Sequence, residues 1–126
     1  MGEEKSIIIV GASNDRSRFA NRAVRAYRDI GWTVYPVHPR EKEVEGLACY
    51  ASIAEVPAQA GTLSLYVPAI VGMTVVEGAP ARGVRDVFVN PGAGSPELVE
   101  KIRALGMNPI EACSIVAVGA SPADYD

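Results

Sequence analysis

The polarity pattern alternates between short apolar runs and longer segments whose apolar residues recur every three or four positions. Ile7 to Val10 is continuously apolar and stops at Gly11, the pattern of a buried strand that feeds a polar loop, ASNDRS, and then a helix. From Phe19 to Ile30 the apolar positions Phe19, Ala20, Ala23, Val24, Tyr27 and Ile30 share one helix face, and Arg18, Arg22, Arg25 and Asp29 take the opposite, solvated face. Gly31 ends that helix. Trp32 to Val37 reads as a second strand, with Pro36 predicting an interrupted pairing or a departure from the sheet. His38 to Tyr50 reads as polar loop, and Ser52 to Val56 as a helical turn stopped by Pro57. Thr62 to Val67 is the third strand. Ile70 to Arg82 follows as a helix against the preferences of Gly72, Gly78 and Pro80. Arg85 to Val89 is the fourth strand, and Ser95 caps a helix over Pro96 to Leu105 that ends at Gly106. A last strand covers Pro109 to Ala112, the SIVAVG segment from Ser114 fits a short strand or a packed tail, and SPADYD reads as a frayed end.

Strands alternating with helical segments predict an α/β fold: a doubly wound, Rossmann-like and mainly parallel five-stranded sheet with helices on both faces. A length of 126 residues fits one domain, residues 1–126, and 48% apolar residues supply a core without staples. No apolar run reaches the roughly 18 residues of a membrane span. The charged start, Met1 to Lys5, leads directly into a strand with no leader-like apolar stretch, so the expected compartment is cytoplasmic, with no membrane partner. Cys49 and Cys113 form no C-x-x-C pair and read as reduced, small hydrophobes. A net charge of −3 argues against a nucleic-acid surface. Yet five of the nine arginines (Arg16, Arg18, Arg22, Arg25 and Arg28) crowd the opening of the first helix, so a local preference for anions is compatible with the acidic total.

In folds of this class ligands lie at the carboxyl ends of the strands, which points to GASNDRS, PVHPR, VPA and NPGAG. The first of these offers unpaired N–H groups at a helix start and so favours a phosphate, although Ser13 and Asn14 also suit a plain cap and turn. The dinucleotide fingerprint G-x-G-x-x-G fails, because Ser13 and Arg16 stand at its second and third glycines. The second strand exits through Val37, His38, Pro39 and Arg40 without the acid that accepts ribose hydroxyls in an NAD site. Arg40 suits a phosphorylated ribose, as on NADP or coenzyme A, or else pairs with Glu41 or Glu43. His38, the single histidine, reads as loop structure or support for the site. Cys113 and Ser114 read as buried packing.

Taken together, IIIVGAS, YPVHPR with EVEGLACYASIAEVP, LYVPA and the V-N-P-G loop resemble the CoA-binding domain of the succinyl-CoA synthetase alpha subunit and of ADP-forming acyl-CoA synthetases. That domain also occurs in small free-standing bacterial proteins. The resemblance runs from about Ser6 to Gly119. It implies that Gly11, Ala12, Ser13, Asn14 and Arg16 lie at the pyrophosphate, with Pro39 and Arg40 near the ADP phosphates. Val67, Pro68 and Ala69 would lie along the adenine or the pantetheine arm, with Asn90 and Pro91 forming the opposite wall. Two departures are visible: the phosphate loop lacks the extra glycine of the synthetase subunit, and Pro91 replaces an acid before glycine. No G-x-S-x-G, H-E-x-x-H or Walker A motif is present, and the resemblance implies that a synthetase's phosphorylatable histidine belongs to a following domain. The expected function is therefore non-catalytic binding of coenzyme A or an acyl-CoA, as a regulator or carrier. The alternative is a small NADP-dependent oxidoreductase or nucleotide-binding enzyme. The apolar surplus at Ile70 to Val76 leaves open a homo-oligomer or a protein partner.

Overall fold

The computed structural model describes residues 5–125; the charged lead-in over Met1 to Glu4 and the last tail residue, Asp126, lie outside the described residues. Five strands build one parallel sheet: β1 (Ser6–Val10), β2 (Thr33–Val37), β5 (Thr62–Leu65), β6 (Asp86–Val89) and β7 (Asn108–Ile110), in the order β2-β1-β5-β6-β7. The chain first moves outward from β1 to β2 and then returns to place β5 on the other side of β1. The strand order thus reverses between β1 and β5, and their carboxyl ends flank a crevice.

The sheet is covered on both faces. Ile8, Val10, Leu63, Leu65, Val87 and Val89 face α2 (Ala69–Val75), α3 (Pro96–Ala104) and the 3-10 turns around Val76–Gly78 and Pro80–Arg82, where Leu98, Ile102 and Val76 are fully buried. Ile7, Ile9 and Val34 face α1 (Phe19–Asp29), whose Ala23, Val24 and Tyr27 are fully buried with Ile115 from the short α4 (Ser114–Ala117). Burial on both faces explains why the strands read as unbroken apolar runs.

The helix expected over Ile70 to Arg82 breaks up after Val75 into two 3-10 turns, as Gly78 and Pro80 dictate. Pro36 does not interrupt β2, which runs on to Val37: β2 is an edge strand, where a missing donor costs no ladder bond. Pro109 sits in the other edge strand for the same reason. Of the two expectations for segment 114–119 the strand fails and the packed segment holds: it begins as the helix α4, with Ser114 and Ile115 fully buried. As far as Tyr125 the closing segment is tied down, not frayed: Arg25 donates to the Tyr125 carbonyl at 2.5 Å and the Tyr125 hydroxyl donates to Asp29 at 2.9 Å.

The stretch His38 to Tyr50 contains a feature the polarity pattern did not predict, a hairpin of β3 (Glu43–Val44) and β4 (Leu47–Ala48). Its two turn residues, Glu45 (φ 52°) and Gly46 (φ 80°), both have positive φ, as a two-residue hairpin turn twisted to match its strands requires. Asn-Gly or Asp-Gly would have announced that turn; Glu-Gly does not.

Candidate functional site

Gly11 closes β1 at the point of strand-order reversal. Its φ is +89°, and a Cβ built there would lie 2.6 Å from the Tyr66 carbonyl oxygen. Only glycine lets the exits of β1 and β5 pass so closely. The Gly11 and Ala12 N–H groups are not free for a ligand, because both donate to the Val37 carbonyl (3.0 and 3.2 Å), and the Ala12 side chain is fully buried in the core. The N–H groups of Ser13, Asn14 and Arg16 have no acceptor among the described residues. Neither does the start of α1 carry a side-chain cap or an acid in its first turn, so the loop and the helix start together present uncompensated donors.

The loop's conformation is set by its own side chains and by the hairpin. Asp15 accepts from the Ser17 N–H and hydroxyl (3.0 and 2.6 Å), which holds its carboxyl below the usual carboxylate range, and Ser13 Oγ accepts from the Asp15 N–H. The acid is thereby turned onto Ser17. Asn14 Nδ2 donates to Glu41 Oε2 (2.7 Å) and to the Glu43 carbonyl (2.8 Å). Arg16 grips Glu45 with Nη2–Oε1 at 2.9 Å and Nε–Oε2 at 3.2 Å. The side chains of Asn14 and Arg16 therefore serve the hairpin. Glu45 also accepts from Asn21 Nδ2 (3.0 Å), and its pKa is pushed down to about 2, first by the Arg16 hydrogen bonds and then by Asn21, against a smaller opposing cost of burial.

Asn21, fully buried, donates to the Ser13 carbonyl (2.8 Å) as well and accepts from Arg25 Nε (2.7 Å). Arg25 is buried, not solvated as the helical periodicity suggested: its Nη2 reaches the Arg16 and Tyr125 carbonyls, and Tyr125 brings the C-terminal segment to it. Phe19 departs from the expected apolar face in the other sense and is 54% exposed at the helix start.

Cavities follow the carboxyl edge of the sheet. One of about 590 Å3 lies between the exits of β2 and β5, lined by Gly11, His38, Pro39, Ile53, Val67 and Val71 among others, with mostly apolar walls. Tyr66 and Val67 connect it to a second of about 290 Å3, bounded by Pro68, Asn90 and Pro91, and a third of about 140 Å3 adjoins that one. Among the residues expected from sequence, Gly11, Pro39, Val67, Pro68, Asn90 and Pro91 come together along this run. Ala12, Ser13, Asn14, Arg16, Arg40 and Ala69 line none of these cavities. Arg40 is exposed beside His38, whose Nδ1 accepts from the Arg40 and Glu41 N–H groups (3.1 and 3.3 Å), and forms no ion pair with Glu41 or Glu43. His38 thus shapes the turn that carries Arg40.

Beneath the crevice lies a buried polar network that sequence reasoning missed. Asn90 Nδ2 donates to Ser64 Oγ and to the Leu65 carbonyl (both 2.8 Å), and its Oδ1 accepts from the Ser114 N–H (2.9 Å). Ser114 Oγ bonds Ser64 Oγ and the Tyr66 hydroxyl (2.8 and 3.0 Å), and its carbonyl accepts from the Tyr27 hydroxyl (2.7 Å). Burial pushes the Tyr66 phenol up to about 12, only partly offset by its bond to Ser114, so it stays neutral. The sequence marked two of its members, Asn90 as a wall of the site and Ser114 as buried packing, but not the bonds that join them through Ser64. Both cysteines are free, and among the described residues no three His, Cys, Asp or Glu side chains gather as a metal cluster would need.

A family model described as "CoA binding domain" matches residues 5–119. The chain is 30% identical over 105 residues to an ADP-forming acetate–CoA ligase of Methanocaldococcus jannaschii, a match covering 80% of this chain and 15% of that protein. It is 32% identical over 87 residues to the alpha subunit of the ADP-forming acetate–CoA ligase II of Pyrococcus furiosus, covering 68% of this chain and 19% of that subunit. The chain thus spans less than a fifth of the length of these curated relatives. Among solved structures, a hypothetical protein from Pyrococcus horikoshii superimposes with a TM-score of 0.85 at 30% identity, over 90% of this chain and 80% of that one. A Thermus thermophilus protein superimposes with a TM-score of 0.84 at 27% identity, over 92% and 89% of the two chains.

Proposed function

The chain belongs to the CoA-binding domain family, and on that premise we propose that it binds coenzyme A or an acyl-CoA across the crevice between β1 and β5. The observation that carries the reading is the cleft at this point of strand-order reversal, bordered by a loop whose Ser13, Asn14 and Arg16 N–H groups have no acceptor among the described residues. The nucleotide lies in the apolar cleft beside His38 and Pro39, the pyrophosphate faces the loop after Gly11, and the pantetheine arm follows Val67, Pro68, Asn90 and Pro91. Arg40 reads the 3′-phosphate from the rim, and the absence of an acid at the β2 exit supports a phosphorylated ribose over plain NAD.

The chain contributes binding and no chemistry of its own. Its crevice side chains are spent on each other: Asn90, Ser64, Ser114 and Tyr66 in the buried network, and His38 Nδ1 on its own turn. Its role is that of a carrier or regulator of cytoplasmic CoA species.

Calorimetric titration with CoA, dephospho-CoA and NADPH tests the reading. Because Arg40 is exposed and screened, CoA should bind about three- to tenfold more tightly than dephospho-CoA, a difference of roughly 1 kcal/mol that shrinks with salt and disappears in Arg40→Ala. NADPH binding with no CoA binding at millimolar concentration would replace this reading by the nucleotide-dependent enzyme.

A further inference from the structure

Arg25 is only 9% exposed, and a guanidinium withdrawn from water needs acceptors. It has three: Asn21 Oδ1 at 2.7 Å, the Arg16 carbonyl at 3.2 Å and the Tyr125 carbonyl at 2.5 Å, none of them a carboxylate. The Tyr125 ring also covers the guanidinium, with Cζ 5.5 Å from the ring centroid, and its hydroxyl ties the closing 3-10 turn, Pro122–Tyr125, to Asp29 of α1. This turn lies beyond residues 5–119, the part of the chain that the family model matches. We propose that Tyr125, acting through Arg25 and Asn21, is a positioning residue for the loop after Gly11, so that the docked C-terminal turn sets the affinity of that loop for a pyrophosphate. The proposal rests on the binding of CoA argued above for the identity of the ligand.

The link runs through peptide planes. In a trans peptide the carbonyl and the next N–H point opposite ways, so a carbonyl held from inside aims the following N–H outward. Asn21 Nδ2 holds the Ser13 carbonyl at 2.8 Å, and the N–H of the same peptide is that of Asn14, which has no acceptor among the described residues. Arg25 holds the Arg16 carbonyl, so both ends of the loop hang from this pair of side chains. Asn21 is oriented in turn by Arg25, whose Nε occupies its Oδ1 and leaves its Nδ2 for Ser13 and Glu45. Tyr125 completes the chain, because it supplies one of the three acceptors and the ring that keeps water off the guanidinium. Without it Arg25 turns toward water, Asn21 loses its orientation, and the loop must be ordered again when an anion binds.

The test compares the full-length wild type with Tyr125→Ala and Tyr125→Phe, by calorimetry with CoA and dephospho-CoA and by amide spectra of the ligand-free proteins. Tyr125→Ala should weaken CoA and dephospho-CoA by the same factor, about fivefold to tenfold, since both carry the pyrophosphate and the loop has to be re-ordered around either. Tyr125→Phe keeps the ring over Arg25 and loses only the exposed bond to Asp29, so its affinity should stay within about twofold of wild type. In the ligand-free Tyr125→Ala protein the Ser13 and Asn14 amides should shift, with Val67 and Gly92 in place as evidence that the fold is kept. Wild-type affinity in Tyr125→Ala, a loss confined to CoA and absent for dephospho-CoA, or an equal loss in Tyr125→Phe would overturn the proposal and leave CoA binding intact. If the wild type bound neither ligand, the CoA reading would fall, and the loop amides alone would decide: unmoved in Tyr125→Ala, they would overturn the positioning role as well, and shifted they would uphold it.

Discussion

Replacing Gly11 by alanine separates two costs that the structure assigns to one residue. The first is conformational: φ of +89° forces an L-residue into the left-handed region, at about 1–2 kcal/mol. The second is steric. The new Cβ would lie 2.6 Å from the Tyr66 carbonyl oxygen and 3.0 Å from its carbon, so the backbone at the β5 exit must retreat. Overpacking of that kind costs about 1–3 kcal/mol. Gly31 provides the control, because its φ is +90° and nothing lies within 4 Å of a Cβ built there. Gly11→Ala should therefore lose about 2–5 kcal/mol and Gly31→Ala only about 1–2. With a urea slope of about 1–3 kcal/mol/M, the midpoint should drop by roughly 2 M in the first variant and under 1 M in the second. Urea unfolding followed by circular dichroism reads both. Equal losses would refute the claim that close approach of β1 and β5 makes Gly11 obligatory.

Other expectations follow from the polar groups. Asn90→Ala strands the Leu65 carbonyl, the Ser64 hydroxyl and the Ser114 N–H in the interior, and should cost about 3 kcal/mol, or roughly 10 °C in melting temperature by calorimetry. A melting point unchanged within a degree or two would show that water satisfies the network. Glu45 is depressed from 4.5 to about 2, so its ion pair contributes in full above about pH 4.5 and is lost as pH falls toward 2. Glu45 is 12% exposed but Arg16 is 64% exposed, and solvent screening limits the contribution to about 1 kcal/mol. Glu45→Gln should accordingly lose about that much at neutral pH and converge with the wild type at pH 2; parallel stability curves would assign Glu45 no linkage.

The sheet was legible because strands buried on both faces are written as apolar runs, and the crevice because Gly11, Pro68 and Asn90 punctuate the strand exits. What escaped was non-local. Arg25 has the periodicity of a solvated helix position, yet Tyr125, a hundred residues away, covers it. The hairpin escaped because Glu45 adopts its left-handed turn with the support of Arg16 and Asn21 instead of by being asparagine or aspartate. The Ser64–Ser114 contact joins two residues fifty positions apart, and neither has a pattern that names the other.

The central claim is that CoA lies along the carboxyl edge of the sheet, across the exits of β1, β2, β5 and β6. Amide chemical shifts recorded by NMR during a CoA titration test it directly. The account predicts saturable shifts at Gly11, Ser13, Arg40, Val67 and Asn90, with Trp32, Thr62, Asp86 and Asn108 at the opposite edge unmoved. Shifts concentrated at that opposite edge would contradict it.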